Sequence, residues 1–259
     1  MKLTDASPHN LFNNQLLNKK RPLKFNELII SPTLKIFVLA PHPDDFDAIG
    51  ITMRTFHSNG NEIYLAVITT GVSGVENGYA EKIGKTDKVA IREDEQKASI
   101  QFFGLPLERL TFLRVENDET QHMAESENNF LCIKEVWDKH KPDIVFLPHG
   151  NDTNVDHQRT YSMFKKLLKT ETKPIVAFLN KDPKTIEMRT DVLTTFGDED
   201  AVWKGELLRF HKSQHERNLR TRNYGFDERI LNVNRKDAEE LGLSAGYVEI
   251  FELEFHIKS

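Results

Sequence analysis

Short apolar runs rich in β-branched and aromatic residues recur at 34–40, 62–70, 109–114, 143–149 and 174–180, separated by longer segments of helical period. This alternation is the pattern of βαβ units, in which parallel strands are buried on both faces and helices form the crossovers. Helices are expected at about 47–59, 87–103, 128–140 and 156–169, with Gly60 and Gly104 placed for left-handed C-terminal caps and Asp87 for an N-cap. From about residue 198 the alternation gives way to a long charged helix to about 218, a loop, a short helix and a final strand at 247–257. The chain has 259 residues and no internal repeat, low-complexity stretch or Pro/Gly-rich linker. The expected fold is therefore α/β and Rossmann-like: one domain over 28–259 with a mostly parallel sheet and helices on both faces, after an N-terminal extension at 1–27.

Composition narrows the function classes. Hydrophobic residues make up 38% and charged residues 29%, and the mean hydropathy is -0.52, values of a water-soluble globular protein and not of a membrane span. The first 27 residues mix Lys, Asn and Pro without the apolar run of a signal peptide, so a cytoplasmic location is expected. A net charge of -5 argues against a nucleic-acid partner, which calls for a concentrated basic surface. Cys132 is the only cysteine, which excludes an internal disulfide and a Cys-rich metal site; its place in an apolar helical pattern reads as a buried filler. Nothing sets the oligomeric state, and a homo-oligomer is compatible with the sequence.

In an open parallel sheet, ligands bind beyond the carboxyl ends of the strands. Two of the loops in that position are dense in metal-ligand side chains: Pro41-His42-Pro43-Asp44-Asp45 after the first run, and His149-Gly150-Asn151-Asp152-Thr153-Asn154-Val155-Asp156-His157 after the fourth. Imidazole nitrogen and carboxylate oxygen together suit a catalytic zinc with three protein ligands and a position left for water. An Asp at a strand-to-helix turn can also be a plain helix cap, and Asp156 is open to that reading. The coincidence of two His/Asp loops at one sheet edge favours the metal.

These motifs resemble those of the PIG-L/LmbE-like deacetylases, which act on N-acetylglucosamine-type groups. The resemblance rests on residues 40–45 and on 148–157, with looser matches at Arg92, at 211–214 and at 247–251, and it covers roughly 34–255. It implies a Rossmann-like fold and a divalent metal, zinc or another such as Fe2+, held by His42, Asp45 and His157, with Asp44 as general base and Arg92 facing the sugar of an amino-sugar substrate. Such a metal lowers the pKa of water from 15.7 towards about 7, and a neighbouring carboxylate carries the proton to the leaving amine. Two departures from the family pattern stand out. Phe46 follows the Asp pair where many members have an acidic residue, and Asn154 stands where many have a histidine that assists the oxyanion. Asn154 donates only a neutral hydrogen bond, so both Asn154 and His149 are candidates for the second catalytic donor. The loop at 71–85, with Gly71, Gly74, Gly78 and Gly84, matches no phosphate-binding fingerprint and reads as a mobile lid. The alternatives are a metal- or carbohydrate-binding member of the fold without turnover, and a Rossmann-like nucleotide-binding transferase. Against the latter, the first loop is acidic and proline-containing where a glycine turn is expected.

Overall fold

The computed structural model describes residues 16–17, 19–79 and 84–257. Five strands of the expected series are present: β2 (Lys35–Ala40), β3 (Glu62–Val67), β4 (Leu110–Phe112), β5 (Ile144–Pro148) and β6 (Ile175–Asn180). The expected final strand is present as β8 (Tyr247–His256), and two more were not expected: β1 (Leu23–Lys24) and β7 (Val192–Phe196). They form one sheet in the order β1-β7-β8-β6-β5-β2-β3-β4, in which β8 alone runs antiparallel to its neighbours. Leu23–Lys24 pairs with Val192–Leu193, and Leu16, Leu23 and Phe25 are buried in the core. The described end of the stretch read as an extension is thus joined to the sheet.

Side-chain alternation sorts the central strands onto two faces. Ile36, Val38, Ala40, Ile144, Phe146, Val176 and Phe178 pack on one side. Phe37, Leu39, Val145, Leu147, Ala177 and Leu179 pack on the other. The first face is covered by α1 (Asp45–Ala48), α2 (Gly50–Ser58) and α3 (Lys85–Phe103) through Phe46, Met53, Phe56, Ile100 and Phe103. The second is covered by α4 (Glu127–His140) and α5 (Val155–Thr170) through Phe130, Ile133, Trp137, Phe164 and Leu167. Cys132 packs half-buried against this second cluster.

Gly60 and Gly104 adopt φ of 86° and 91° at the ends of α2 and α3, the left-handed caps expected of them. Asp87 is not the N-cap of α3: Gly84 occupies that position, and Asp87 lies in the first turn, where its charge complements the helix dipole. The long charged helix is two helices, α6 (Asp198–Arg209) and α7 (Lys212–Arg222). The break falls at His211, which is fully buried and bonded through Nε2 to the buried carboxylate of Asp47, a contact a continuous helix would have to give up. The helix that follows, α8 (Phe226–Glu240), is longer than expected.

Candidate metal centre

Strands β2 and β5 are parallel neighbours, yet the chain continues from β2 to β3 on one side and from β5 to β6 on the other. Their carboxyl ends therefore splay apart and leave the crevice in which open α/β sheets bind ligands. The loop after β2 brings His42, Asp44 and Asp45 to this crevice, and the loop after β5 brings Asn154, Asp156 and His157. One ligand atom each from His42, Asp45 and His157 lies within 4.8 Å of the others.

Each imidazole points one nitrogen at Asp45 and the other at a second carboxylate. His42 Nδ1 is 3.4 Å from Asp45 Oδ2, and its Nε2 is 3.1 Å from Asp156 Oδ2. His157 Nε2 is 3.7 Å from Asp45 Oδ1, and its Nδ1 is 3.3 Å from Asp152 Oδ2. Donors about 2.0–2.2 Å from a tetrahedral zinc stand about 3.4 Å from one another, so the Asp45 to His157 separation is close to what coordination needs. A carboxylate on the far nitrogen of each ligating histidine is the arrangement that fixes its tautomer and strengthens it as a ligand. The two histidines and Asp45 thus fit a divalent metal.

The electrostatics agree with that fit. Burial alone would lower His42, but its hydrogen bonds to Asp156 and Asp45 and their charges raise it to about 10. Burial likewise opposes the charged form of His157, and Asp152 and Asp45 overcome it, raising its pKa. Asp45 and Asp156 are held below the usual carboxylate range against their own burial, chiefly by the His42 hydrogen bond. Burial pushes Asp182 up, with Asp45 and Asp152 adding to the effect. The cluster holds more carboxylate than the protein supplies cation for, which is the environment a metal ion fills.

Asp44 has the backbone of an actively positioned residue. Its φ of 120° is in a region costing a non-glycine residue about 1–3 kcal/mol, tolerated where surrounding contacts over-determine it. Here they do: its N–H donates to Gln96 Oε1 at 3.0 Å, and its carbonyl accepts from Asp47 N and Ala48 N at 3.0 and 3.2 Å. Arg92, 1% exposed, donates from Nη2 to Asp44 Oδ2 at 2.8 Å and to the Pro43 carbonyl, and from Nη1 to Glu95 Oε2 at 3.2 Å. Gly71 makes this turn possible: at φ 61°, a Cβ there would come within 2.9 Å of Pro43 Cδ and 3.3 Å of Arg92 Nε.

Asn154 is the N-cap of α5, its Oδ1 accepting from Asp156 N at 3.1 Å, and it borders the cavity. Asp156 is therefore not the cap. It accepts instead from Met123 N at 2.7 Å and meets His42 and His122. His149 is not brought to the cluster: its Nδ1 accepts from Asn151 N and its Nε2 faces Glu252 of β8 at 3.4 Å. Asp182 and His122, both on the cavity, were missed by sequence reasoning. Asp182 lies one residue beyond the position that follows β6, so extending the strand-end rule to that strand reaches it; His122 carries no such signal. Of the loop read as a lid, Gly71, Ser73 and Gly74 border the cavity, and 80–83 lie outside the described residues.

The sequence model of PIG-L, GlcNAc-PI de-N-acetylase, matches residues 37–168, about half of the chain. The chain belongs to the PIG-L family. The match spans His42, Asp45 and His157 and ends before the C-terminal helices. Comparison with curated protein sequences gives no match. Among solved structures, the chain is similar to N,N'-diacetylchitobiose deacetylase from Pyrococcus horikoshii, with a TM-score of 0.72, 17% identity, and 98% of this chain and 94% of that one covered. It is also similar to a zinc-inhibited form of teicoplanin deacetylase Orf2 (TM-score 0.61, 14% identity, 87% and 100% covered). A third relative in fold is GalB, the 4-carboxy-2-hydroxymuconate hydratase of Pseudomonas putida KT2440 (TM-score 0.60, 15% identity, 88% and 98% covered). At these identities the likeness is one of fold, and the fold hosts more than one chemistry.

Proposed function

We propose that this PIG-L protein is a metal-dependent N-deacetylase of an N-acetylglucosamine-type amino sugar or its conjugate. The observation that carries the reading is the His42, Asp45 and His157 triangle, with a further carboxylate behind each histidine and the separately held carboxylate of Asp44 beside it. When bound, a divalent ion supplies Lewis acidity, polarising an amide carbonyl and making water a nucleophile near neutral pH. His42, Asp45 and His157 hold it; Asp156 and Asp152 orient the two imidazoles. Asp44 is the general base: its carboxylate takes the proton of the attacking water and returns it to the amine nitrogen as the C–N bond breaks, leaving a free amine and a carboxylic acid. Arg92 acts through Asp44 and not on the sugar, because both of its terminal nitrogens are engaged by the protein. Asn154 spends its oxygen on the helix cap and keeps Nδ2 for the substrate carbonyl. His149, tied to Asn151 and Glu252, takes no part. The cavity of about 270 Å³ is near the lower end of small-molecule sites, on the order of 300–1,000 Å³, and suits one sugar ring with its acyl group.

No helix among the described residues is long and apolar enough to cross a membrane. The test is release of primary amine and acetate from N-acetylglucosamine and N,N'-diacetylchitobiose by protein loaded with zinc or with iron(II). Both metals are needed, since one neighbour is a zinc-inhibited deacetylase. Turnover is expected to stop with chelator and return with metal. No amine release with either metal would defeat the reading and favour the hydratase-like or binding-only use of the fold.

A further inference from the structure

The cavity above the metal centre is electrically divided. One part of its lining is acidic, formed by the strand-end residues Asp44, Asp45, Asp156 and Asp182, while the C-terminal helices bring Arg217 and Arg222 of α7 and Arg229 of α8 to it, and Lys184 joins them from the turn that holds Asp182. These four cations have no carboxylate within ion-pair distance among the described residues. Their neighbours do: Arg209 meets Asp227 at 2.7 Å, and Arg220 pairs with Glu76. Arg92 also borders the cavity but is neutralised by Asp44 and Glu95, so in a chain of net charge -5 the unpaired cations of the lining are Arg217, Arg222, Arg229 and Lys184. Arg217 and Arg229 are half-buried, so their guanidinium charges are only partly dispersed into water. Four uncompensated cations around one cavity repel one another and raise the local potential; an incoming anion relieves both effects.

We propose that the wall formed by α7, α8 and Lys184 is an oxyanion subsite, and that the substrate is an N-acyl amino sugar bearing a phosphate or carboxylate substituent remote from its amide. This rests on the deacetylase reading for the position of the amide. The division of charge then orients the substrate: the neutral amide approaches the acidic, metal-binding floor while the anion is held at the wall, and the reversed pose would set the anion against four carboxylates. Guanidinium groups suit this role because they bind planar or tetrahedral oxyanions through paired N–H donors and stay charged at every physiological pH.

The experiment measures binding of the free-amine sugars the reaction would leave, which cannot be hydrolysed during the titration. Metal-loaded protein is titrated calorimetrically with glucosamine, glucosamine 6-phosphate and glucosaminuronic acid, the anions of the last two standing at C6, away from the nitrogen on C2. At least one anionic sugar is expected to bind about tenfold or more tightly than glucosamine, as a charge-assisted contact implies, and which one does so distinguishes phosphate from carboxylate. That preference should shrink as ionic strength rises from about 0.05 to about 0.5 M, a readout on unmodified protein. Arg217→Gln and Arg229→Gln should each cut the ratio of anionic to neutral affinity several-fold, and Arg229→Lys should retain part of it. Equal affinity for all three sugars, a salt-independent preference, or variants that weaken glucosamine as much as its phosphate would overturn the proposal. Deacetylation of N-acetylglucosamine without any anion preference defeats the subsite alone. An anion preference that falls with salt and with the Gln variants, in a protein that releases no amine from any N-acetyl sugar, upholds the subsite and defeats the deacetylase reading alone.

Discussion

On the floor of the cavity each imidazole has two carboxylates within 3.7 Å, whereas the three arginines that the C-terminal helices bring to the same cavity have none within ion-pair distance among the described residues. The floor is made by two short loops at the ends of neighbouring strands, and its buried groups constrain one another closely. The wall is made by separate helices whose cations reach in from partly exposed positions. A closely coupled set suits a chemical step that tolerates little displacement; a loosely coupled one suits selection of a substrate and can be altered without disturbing the step. The contrast predicts that substitutions on the floor act on all substrates, and that their effects are larger than any from the C-terminal half.

The largest effect should come from removing a ligand. His42→Ala, Asp45→Ala and His157→Ala are each expected to lose the metal and essentially all turnover, measured by elemental analysis beside amine release; full metal retention in all three would dissolve the floor as described. In wild-type protein, His42 holds its proton up to about 10 when the metal is absent. Metal loading at a pH near 8 should therefore expel about one proton, visible as buffer-dependent heat, where an imidazole at its ordinary pKa of about 6.5 would already be neutral.

Next is Asp44→Asn, expected to keep the metal and lose about 10²- to 10⁴-fold in kcat, the range of general acid/base assistance. A loss below tenfold would transfer the base to another residue. In the C-terminal half, by contrast, the largest effect should be on stability. Lys204 is fully buried and meets Glu249 at 2.7 Å, while the Glu249 carboxylate also accepts from Ile51 N and Thr52 N at 3.1 and 2.9 Å. Lys204→Met leaves that carboxylate without its cation and should cost about 3–5 kcal/mol in denaturant unfolding, with partial recovery in the double variant with Glu249→Gln. An unchanged midpoint would mean that the two halves are coupled through packing alone.

Smallest is the stability effect at Asn154. Asn154→Ala should destabilise by about 1 kcal/mol through loss of the cap. Asn154→Asp keeps a capping oxygen and removes the Nδ2 donor, so it should restore stability yet still lower kcat; recovery of both would reduce Asn154 to a cap.

The same contrast governs what the sequence disclosed. The central strands were legible because burial on both faces leaves uninterrupted apolar runs, and the His42, Asp45 and His157 cluster because its members sit where those runs end. Asn154 and Asp156 were seen, but their division of labour was not, since which of two neighbouring polar residues caps a helix depends on the entry angle of the chain. Strand β7 was missed because Val192–Phe196 is short and gains its identity from pairing with β8, more than fifty residues on. His211 broke the expected helix through a partner 164 positions away. The arginines of the wall carry no sequence signal that sets them apart from other helix charges, and only the fold shows that they share a cavity with His42, Asp45 and His157.

Strand β8 lies between β6 and β7, and β1 reaches the sheet only through β7. During synthesis, then, strands β2, β3 and β5 can pair as soon as they emerge, while β7 and β1 cannot join the sheet until residues 247–256 are made, a delay on the order of seconds. Glu249, the counter-charge for Lys204, arrives on that same segment. A nascent chain halted before it would present an exposed, unpaired β6 edge, so such fragments should aggregate where the full chain does not.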